Sequence, residues 1–586
     1  MLDTLEEIER FSLFGGELIE ETVGGDNNTF VTAENSVFTE KGSDRTMYAY
    51  VPASGCPDAK QCQVFMVLRN ENTKESAEVL MKKLKLDQLA EERHFILLFP
   101  NPTNEGWNYE EDESREDDLS FLVRCFAALP KSKGKVAGFN GMIFYLGTTP
   151  QASALLQRLS LRKPLDASGI MVGGFPEGFD ISQPAQPQAA WIYDGNTAYA
   201  KYLEKTNDPV EVTAEDHHNR INPNIRYFLT DHALDAKEVA DAWDQFFSET
   251  RRWRNDTYGT YQKRTNFSKW GFTAHVNDDS LGVNNGFHHT WYEYVPDTVK
   301  QMKEPVPLVF YFHGGNCIPL YGAEQSDWHV LAKKNNFIVV YPRASAGKVW
   351  NVWNDATGPS DIAFVLALIE HMKTVHPIDP SRIYVSGFSM GSMMTNALCC
   401  TYPEIFAGGA AFNAQNLGYF GTRSLLQPAL ASGRRSQPDE EGPRWTKQTA
   451  DEKKKQYDYR VPFLQGAGLL DTLGTTWPID DPDNLWLQTI DFWKQYNHIP
   501  VVPFEKASAY ETGLEGDENV YAGEDQRFLI HRWKSGDEGH LPLYQFLAAK
   551  RLPHALDLRE VEIAWNFLKH YYRNPDGSLG FDEKEN

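Results

Sequence analysis

Apolar residues along this chain fall into two alternating patterns. Leu308–Phe312 (LVFYF), Phe337–Tyr341 (FIVVY) and Arg382–Gly387 (RIYVSG) are short, nearly continuous apolar runs rich in β-branched and aromatic side chains. That is the pattern of strands covered on both faces of a parallel sheet. Between them, DWHVLAKKNN from Asp327 and DIAFVLALIEHMKTVH from Asp361 repeat apolar residues at helical spacing, each behind an Asp suited to cap a helix N-terminus. Strand, helix, strand, helix predicts an α/β fold, a mostly parallel sheet with helices on both faces.

The whole pattern occurs twice. TMYAYVP at 46–52 returns as TWYEYVP at 290–296, VFMVLRN at 64–70 as VFYFHGG at 309–315, and FILLFPN at 95–101 as FIVVYPR at 337–343. GWN at 106–108 faces VWN at 349–351, and the helix from Asp118 faces the helix from Asp361. IFYLGTTPQA from Ile143 faces IYVSGFSMGS from Ile383, and HALDAKEVADAWDQFF from His232 faces HALDLREVEIAWNFLK from His554. Collinear matches over two halves of similar size predict a duplicated domain. The first copy is expected at 1–260 and the second at 261–586, with the boundary in the polar, basic stretch 251–267. A polar stretch at 416–460 interrupts the second copy ahead of the apolar run VPFLQGAG, and an insertion there is expected to form a lid.

At 586 residues the chain exceeds one ordinary core. A formal net charge of -24 leaves no basic footprint for nucleic acid, repels anionic lipid and favours uncharged substrates. The acidic first residues lack the basic and apolar regions of a targeting signal, and no apolar run is long enough to span a membrane, so a cytoplasmic location is expected. Cysteines 56, 62, 125, 317, 399 and 400 lack paired zinc spacing and are expected to be reduced, with a Cys56–Cys62 bridge as the alternative. Homo-oligomerisation is left open.

Ser389 sits in Gly387-Phe388-Ser389-Met390-Gly391, between a strand and a helix. That context marks a nucleophile held on a strained turn, the alternative being a small residue in a glycine-rich bend. The strand ending in His313-Gly314-Gly315-Asn316 exits in small residues. The backbone amides of Gly315 and Met390 are the expected oxyanion donors, and His313 is expected to hold the loop. In the chain order of this motif an acid and then a base follow. Asp471, just past VPFLQGAG, is the candidate acid over Asp480, Asp481 and Asp483; His554, opening the last long helix, is the candidate base over His540. Asn316, Trp350, Trp353 and Trp477 are candidates for a substrate pocket, with core or lid packing as the alternative for the indoles.

The first copy acts as an internal control. It has Gly147-Thr148-Thr149-Pro150-Gln151 at the nucleophile turn and Leu68-Arg69-Asn70 where the second has His313-Gly314-Gly315; no Asp matches Asp471, and His232 alone is kept. One site per chain is expected, with the first copy non-catalytic.

On the stretches YFHGGN, VWNVWND, DPSRIYVSGFSMGSMMTNAL and LPHALDLREVEIAWNFLKHYYR, the second half resembles the α/β-hydrolase superfamily. Within it, the chain is similar to the polyhydroxybutyrate depolymerase and feruloyl esterase group. Taken with the internal repeat, the resemblance implies tandem α/β-hydrolase-like domains, the first a degenerate copy. It also implies hydrolysis of hydroxycinnamoyl or short hydroxyacyl esters, small or oligomeric, through an acyl-enzyme without cofactor. Acyl transfer or peptide hydrolysis on the same fold, and a non-catalytic binding role, are the alternatives.

Overall fold

The computed structural model describes residues 16–25, 28–31, 37–40, 43–53, 62–129, 138–181, 187–256, 259–265, 267–283, 288–315, 317–345, 350, 361–414, 458–471, 476–523, 525–537 and 539–583. The chain divides into two compact units, Met1–Asn266 and Phe267–Asn586.

The second unit is built on a ten-stranded sheet. In chain order its strands are β1 (Thr273–Asp278), β2 (His289–Tyr294), β3 (Val306–Phe312), β4 (Ile338–Pro342), β5 (Ile378–Phe388), β6 (Gly408–Phe412), β7 (Phe463–Gly468), β8 (Glu518–Ala522), β9 (Phe528–Trp533) and β10 (Tyr544–Ala549). They lie in the order β1-β2-β4-β3-β5-β6-β7-β10-β9-β8. The six strands from β4 to β10 pair in parallel. Antiparallel pairs close both ends of the sheet.

Every residue of β4, β6, β7 and β10 is buried, which is why these segments read as continuous apolar runs. The covering helices are α1 (Pro319–Ser326), α2 (Trp328–Asn335), α3 (Asp361–Val375), α4 (Met390–Thr401), α5 (Leu485–Tyr496) and α6 (Leu558–Leu568). Large rings lock them to the sheet. Trp565 of α6 packs on Phe337 and Tyr384, and Trp493 of α5 stacks on Phe463 at 3.8 Å while its indole N–H donates to Asn396 of α4.

The first unit repeats this plan. Its sheet runs Leu18–Val23, Arg45–Tyr50, Ile96–Pro100, Cys62–Leu68, Gly138–Gly147, Gly169–Val172, Ala190–Ile192, Arg226–Leu229, Asp216–Asn219 and Pro209–Glu211, with the same relative directions. Even a ladder irregularity recurs. Cys62↔Gly138 is followed by Val64↔Ile143, as Val306↔Ile378 is followed by Leu308↔Ile383.

This register corrects one alignment. Leu68 pairs with Gly147 as Phe312 pairs with Gly387, so Arg69, not Leu68, stands at the position of His313. The same indole bond marks both: Trp107 donates to Arg69 O at 2.8 Å and Trp350 to His313 O at 2.7 Å. Two uniformly apolar strands match equally well one residue apart, and only the ladder fixes the register.

A second correction concerns the cysteines. Cys62 is disulfide-bonded, whereas Cys125, Cys317, Cys399 and Cys400 are free thiols. Cys62 therefore follows the bridged alternative and not the all-reduced expectation; Cys56 lies outside the described residues. So does nearly all of the expected lid at 416–460. Among the described residues, no helix is long and apolar enough to cross a membrane, and no cluster of His, Cys, Asp and Glu is arranged to hold a metal ion.

Candidate active site

Strand β5 turns directly into α4 at Ser389, whose backbone is held at φ +54° and ψ −117°. A non-glycine residue pays strain for positive φ, and the surroundings leave this turn no other course. A Cβ on Gly391 would lie 1.9 Å from Phe312 O, and one on Gly387 would lie 2.2 Å from Gly391 O. Both glycines are therefore required by close backbone approach. Ser389 N donates to Phe412 O at 2.9 Å, which fixes the turn on β6.

Three side chains converge here. His554 Nε2 is 2.9 Å from Ser389 Oγ, and His554 Nδ1 is 2.7 Å from Asp471 Oδ2. With the Nδ1–H donated to the carboxylate, Nε2 is left to accept from the serine hydroxyl. Asp471 is buried at 6% exposure, while the imidazole keeps 24% and is open on one side. The Phe388 ring lies 4.9 Å from the imidazole. The acid's turn is tied to the loop that carries His554: Leu470 N donates to Leu552 O, and Asp471 N to Gly468 O.

Beside Ser389 passes the exit of β3. A Cβ on Gly314 would sit 3.4 Å from Ser389 Cβ. His313 is buried; its Nδ1 donates to Gly314 O at 2.8 Å and its Nε2 accepts from Ala344 N at 3.2 Å, so the ring braces the loop. Gly315 follows in this exit, and Met390 is the first residue of α4, where an amide has no acceptor within its own helix.

Other sequence candidates go elsewhere. His540 bonds Ser535 O, and Asp481 and Asp483 belong to the turn before α5. Trp350 is 1% exposed and its indole N–H donates to His313 O, so it packs beneath the loop, the packing alternative and not the pocket expectation. Trp477 packs on Trp486 and Phe546. Asn316 and Trp353 lie outside the described residues. Sequence reasoning missed Asn413, at the end of β6, whose amide reaches Gly468 and Ala555. Its only signal is an Asn directly after an apolar strand, a common turn choice.

The first unit's counterpart lacks the convergence. Thr149 takes an extended φ of −137° as an ordinary helix cap, and its hydroxyl donates to Asn70 Oδ1 at 2.7 Å. His232 pairs with Glu238 at 2.9 Å.

Residues 291–438 match the family described as esterase PHB depolymerase. Over that segment the second unit is similar to this esterase family. The matched segment of the second unit holds His313, Gly315, Ser389 and Met390; Asp471 and His554 lie beyond it. A poly(3-hydroxyalkanoate) depolymerase C of Paucimonas lemoignei is 35% identical over 139 residues, 22% of this chain and 32% of its own. A bifunctional acetylxylan esterase/xylanase of Neocallimastix patriciarum is 34% identical over 122 residues, 21% of this chain and 17% of its own. A feruloyl esterase B of Talaromyces stipitatus is 29% identical over 148 residues, 24% of this chain and 40% of its own. The chain thus spans less than half the length of each.

Proposed function

We propose that the second unit is a serine carboxylesterase acting on hydroxycinnamoyl or short hydroxyacyl esters or their oligomers. The observation that carries this reading is the unbroken relay from Ser389 through His554 to Asp471, at 2.9 and 2.7 Å. Ser389 Oγ attacks the ester carbonyl as His554 Nε2 takes its proton. Asp471 holds the imidazole in the right tautomer and stabilises its charged form. The amides of Gly315 and Met390 receive the developing oxyanion. His554 then passes the proton to the departing alkoxide, leaving an acyl group on Ser389, and activates a water to release it. The relatives' names concern hydroxyalkanoate, feruloyl and acetylxylan esters, which share only a carboxylic ester carbonyl, and the net charge of -24 favours uncharged forms of it.

The first unit, in this reading, is a non-catalytic copy, because Thr149 is neither strained nor joined to a base. A fluorophosphonate that labels the wild type and leaves Ser389→Ala unlabelled, with ester hydrolysis lost in that variant, is the expected result. Hydrolysis by Ser389→Ala at the wild-type rate overturns the proposal.

A further inference from the structure

We infer that Asn413 is a positioning residue that sets His554 against Asp471 and Ser389; the inference rests on the esterase reading. Asn413 ends β6 with a left-handed backbone, φ +53°, and is 2% exposed. Its backbone N–H donates to Gly466 O at 2.8 Å. Its side-chain Oδ1 accepts from Gly468 N at 2.8 Å, on the strand that leads to Asp471. Its Nδ2 donates to Ala555 O, the carbonyl next to His554. One residue earlier, Phe412 O accepts from Ser389 N. Residues 412 and 413 therefore hold the serine turn, the acid strand and the base loop to a single strand end.

The chemistry of this position is specific. The base loop passes so close to the acid strand that a Cβ on Gly468 would lie 2.2 Å from Leu552 O. Between them one planar group must accept from an amide on one side and donate to a carbonyl on the other. Asn does both; Asp has no donor when ionised, and Ala or Gly offers neither. Ala555 O has little freedom to move without moving the imidazole bonded to its neighbour, so the amide acts on proton transfer through His554. Misplacement of a reacting group by about 1 Å costs on the order of 10²-fold in rate.

The first unit carries the complementary observation. Phe144 pairs with Gly169 as Tyr384 pairs with Gly408, which puts Gly174 at the position of Asn413. There the relay is gone as well, and His232 turns to Glu238.

Asn413→Gly keeps the left-handed backbone and removes the amide, and Asn413→Asp keeps the shape and the acceptor but loses the donor. With a p-nitrophenyl ester, each is expected to lower kcat about 10- to 100-fold with KM within about twofold of wild type, and to slow fluorophosphonate labelling in parallel. In a His554→Ala background, Asn413→Gly should leave the residual rate unchanged. Wild-type kcat in either folded variant, or an equal loss with and without His554, overturns the inference. Should one variant fail to fold, the other decides by the same readouts. A wild type that takes no fluorophosphonate label defeats the esterase reading itself, a result separate from any behaviour of Asn413.

Discussion

Asp471 and His554, 83 positions apart in the chain, meet at 2.7 Å with the carboxylate buried and the imidazole half-open. The carboxylate accepts the Nδ1 proton and so selects the tautomer in which Nε2 faces Ser389. Asp471→Asn offers an amide that can donate to Nδ1 and favour the opposite tautomer. The expected loss in kcat is about 10⁴-fold with little change in thermal stability, read by steady-state ester hydrolysis beside a melting curve. An Asn variant within tenfold of wild type would mean that another group orients the imidazole.

Thr149 and Ser389 test what the turn itself contributes. Both follow an equivalent strand, yet Thr149 has φ −137° and caps a helix through Ala152 N, while Ser389 has φ +54°. Thr149→Ser placed in the Ser389→Ala protein is therefore expected to take up no fluorophosphonate. A hydroxyl without the strained turn, and donated to Asn70 where Ser389 faces an imidazole, is not an activated nucleophile. Labelling of the first unit, located by peptide mass, would show that chemistry survives there.

The duplication, the parallel sheet and the relay were legible because each leaves a local trace: apolar runs, two glycines around a serine, an Asp after a strand and a His before a helix. Arg69 was misaligned because the apolar strands carry no residue that distinguishes one register from the next. Trp350 read equally well as pocket or packing, since an indole suits both and only its bond to His313 O decides. Asn413 was invisible because its partners are a backbone amide 55 residues away and a backbone carbonyl 142 residues away, neither of which has a side-chain signature.

Thiol counting tests the correction at Cys62. Of six cysteines, Cys125, Cys317, Cys399 and Cys400 are free and Cys62 is bonded. Denatured, unreduced protein is expected to titrate four thiols, rising to six after reduction. Six thiols before reduction would restore the all-reduced reading. The outcome bears on location, since disulfides persist in oxidising compartments and are rare in the cytosol.

Glu560 makes stability depend on pH. It lies at the start of α6, six residues after His554, fully buried; its Oε2 accepts from Asp557 N at 2.8 Å and its Oε1 has no hydrogen-bond partner. Burial pushes its pKa up to about 8, with the hydrogen bond from Asp557 opposing the rise. The folded protein therefore keeps the carboxyl protonated where the unfolded chain, near the ordinary 4.5, has already released its proton. The stabilisation from this group is complete below about pH 4.5 and drains away as pH climbs to about 8. Glu560→Gln preserves the acceptor and mimics the protonated acid at every pH. Its melting temperature should match wild type near pH 5 and exceed it increasingly toward pH 8, the free-energy gap widening by up to about 1.4 kcal/mol per pH unit. A constant difference across that range would show that Glu560 ionises normally in the folded state, with its charge accommodated by the Arg527 and Arg559 guanidiniums that flank Asp557.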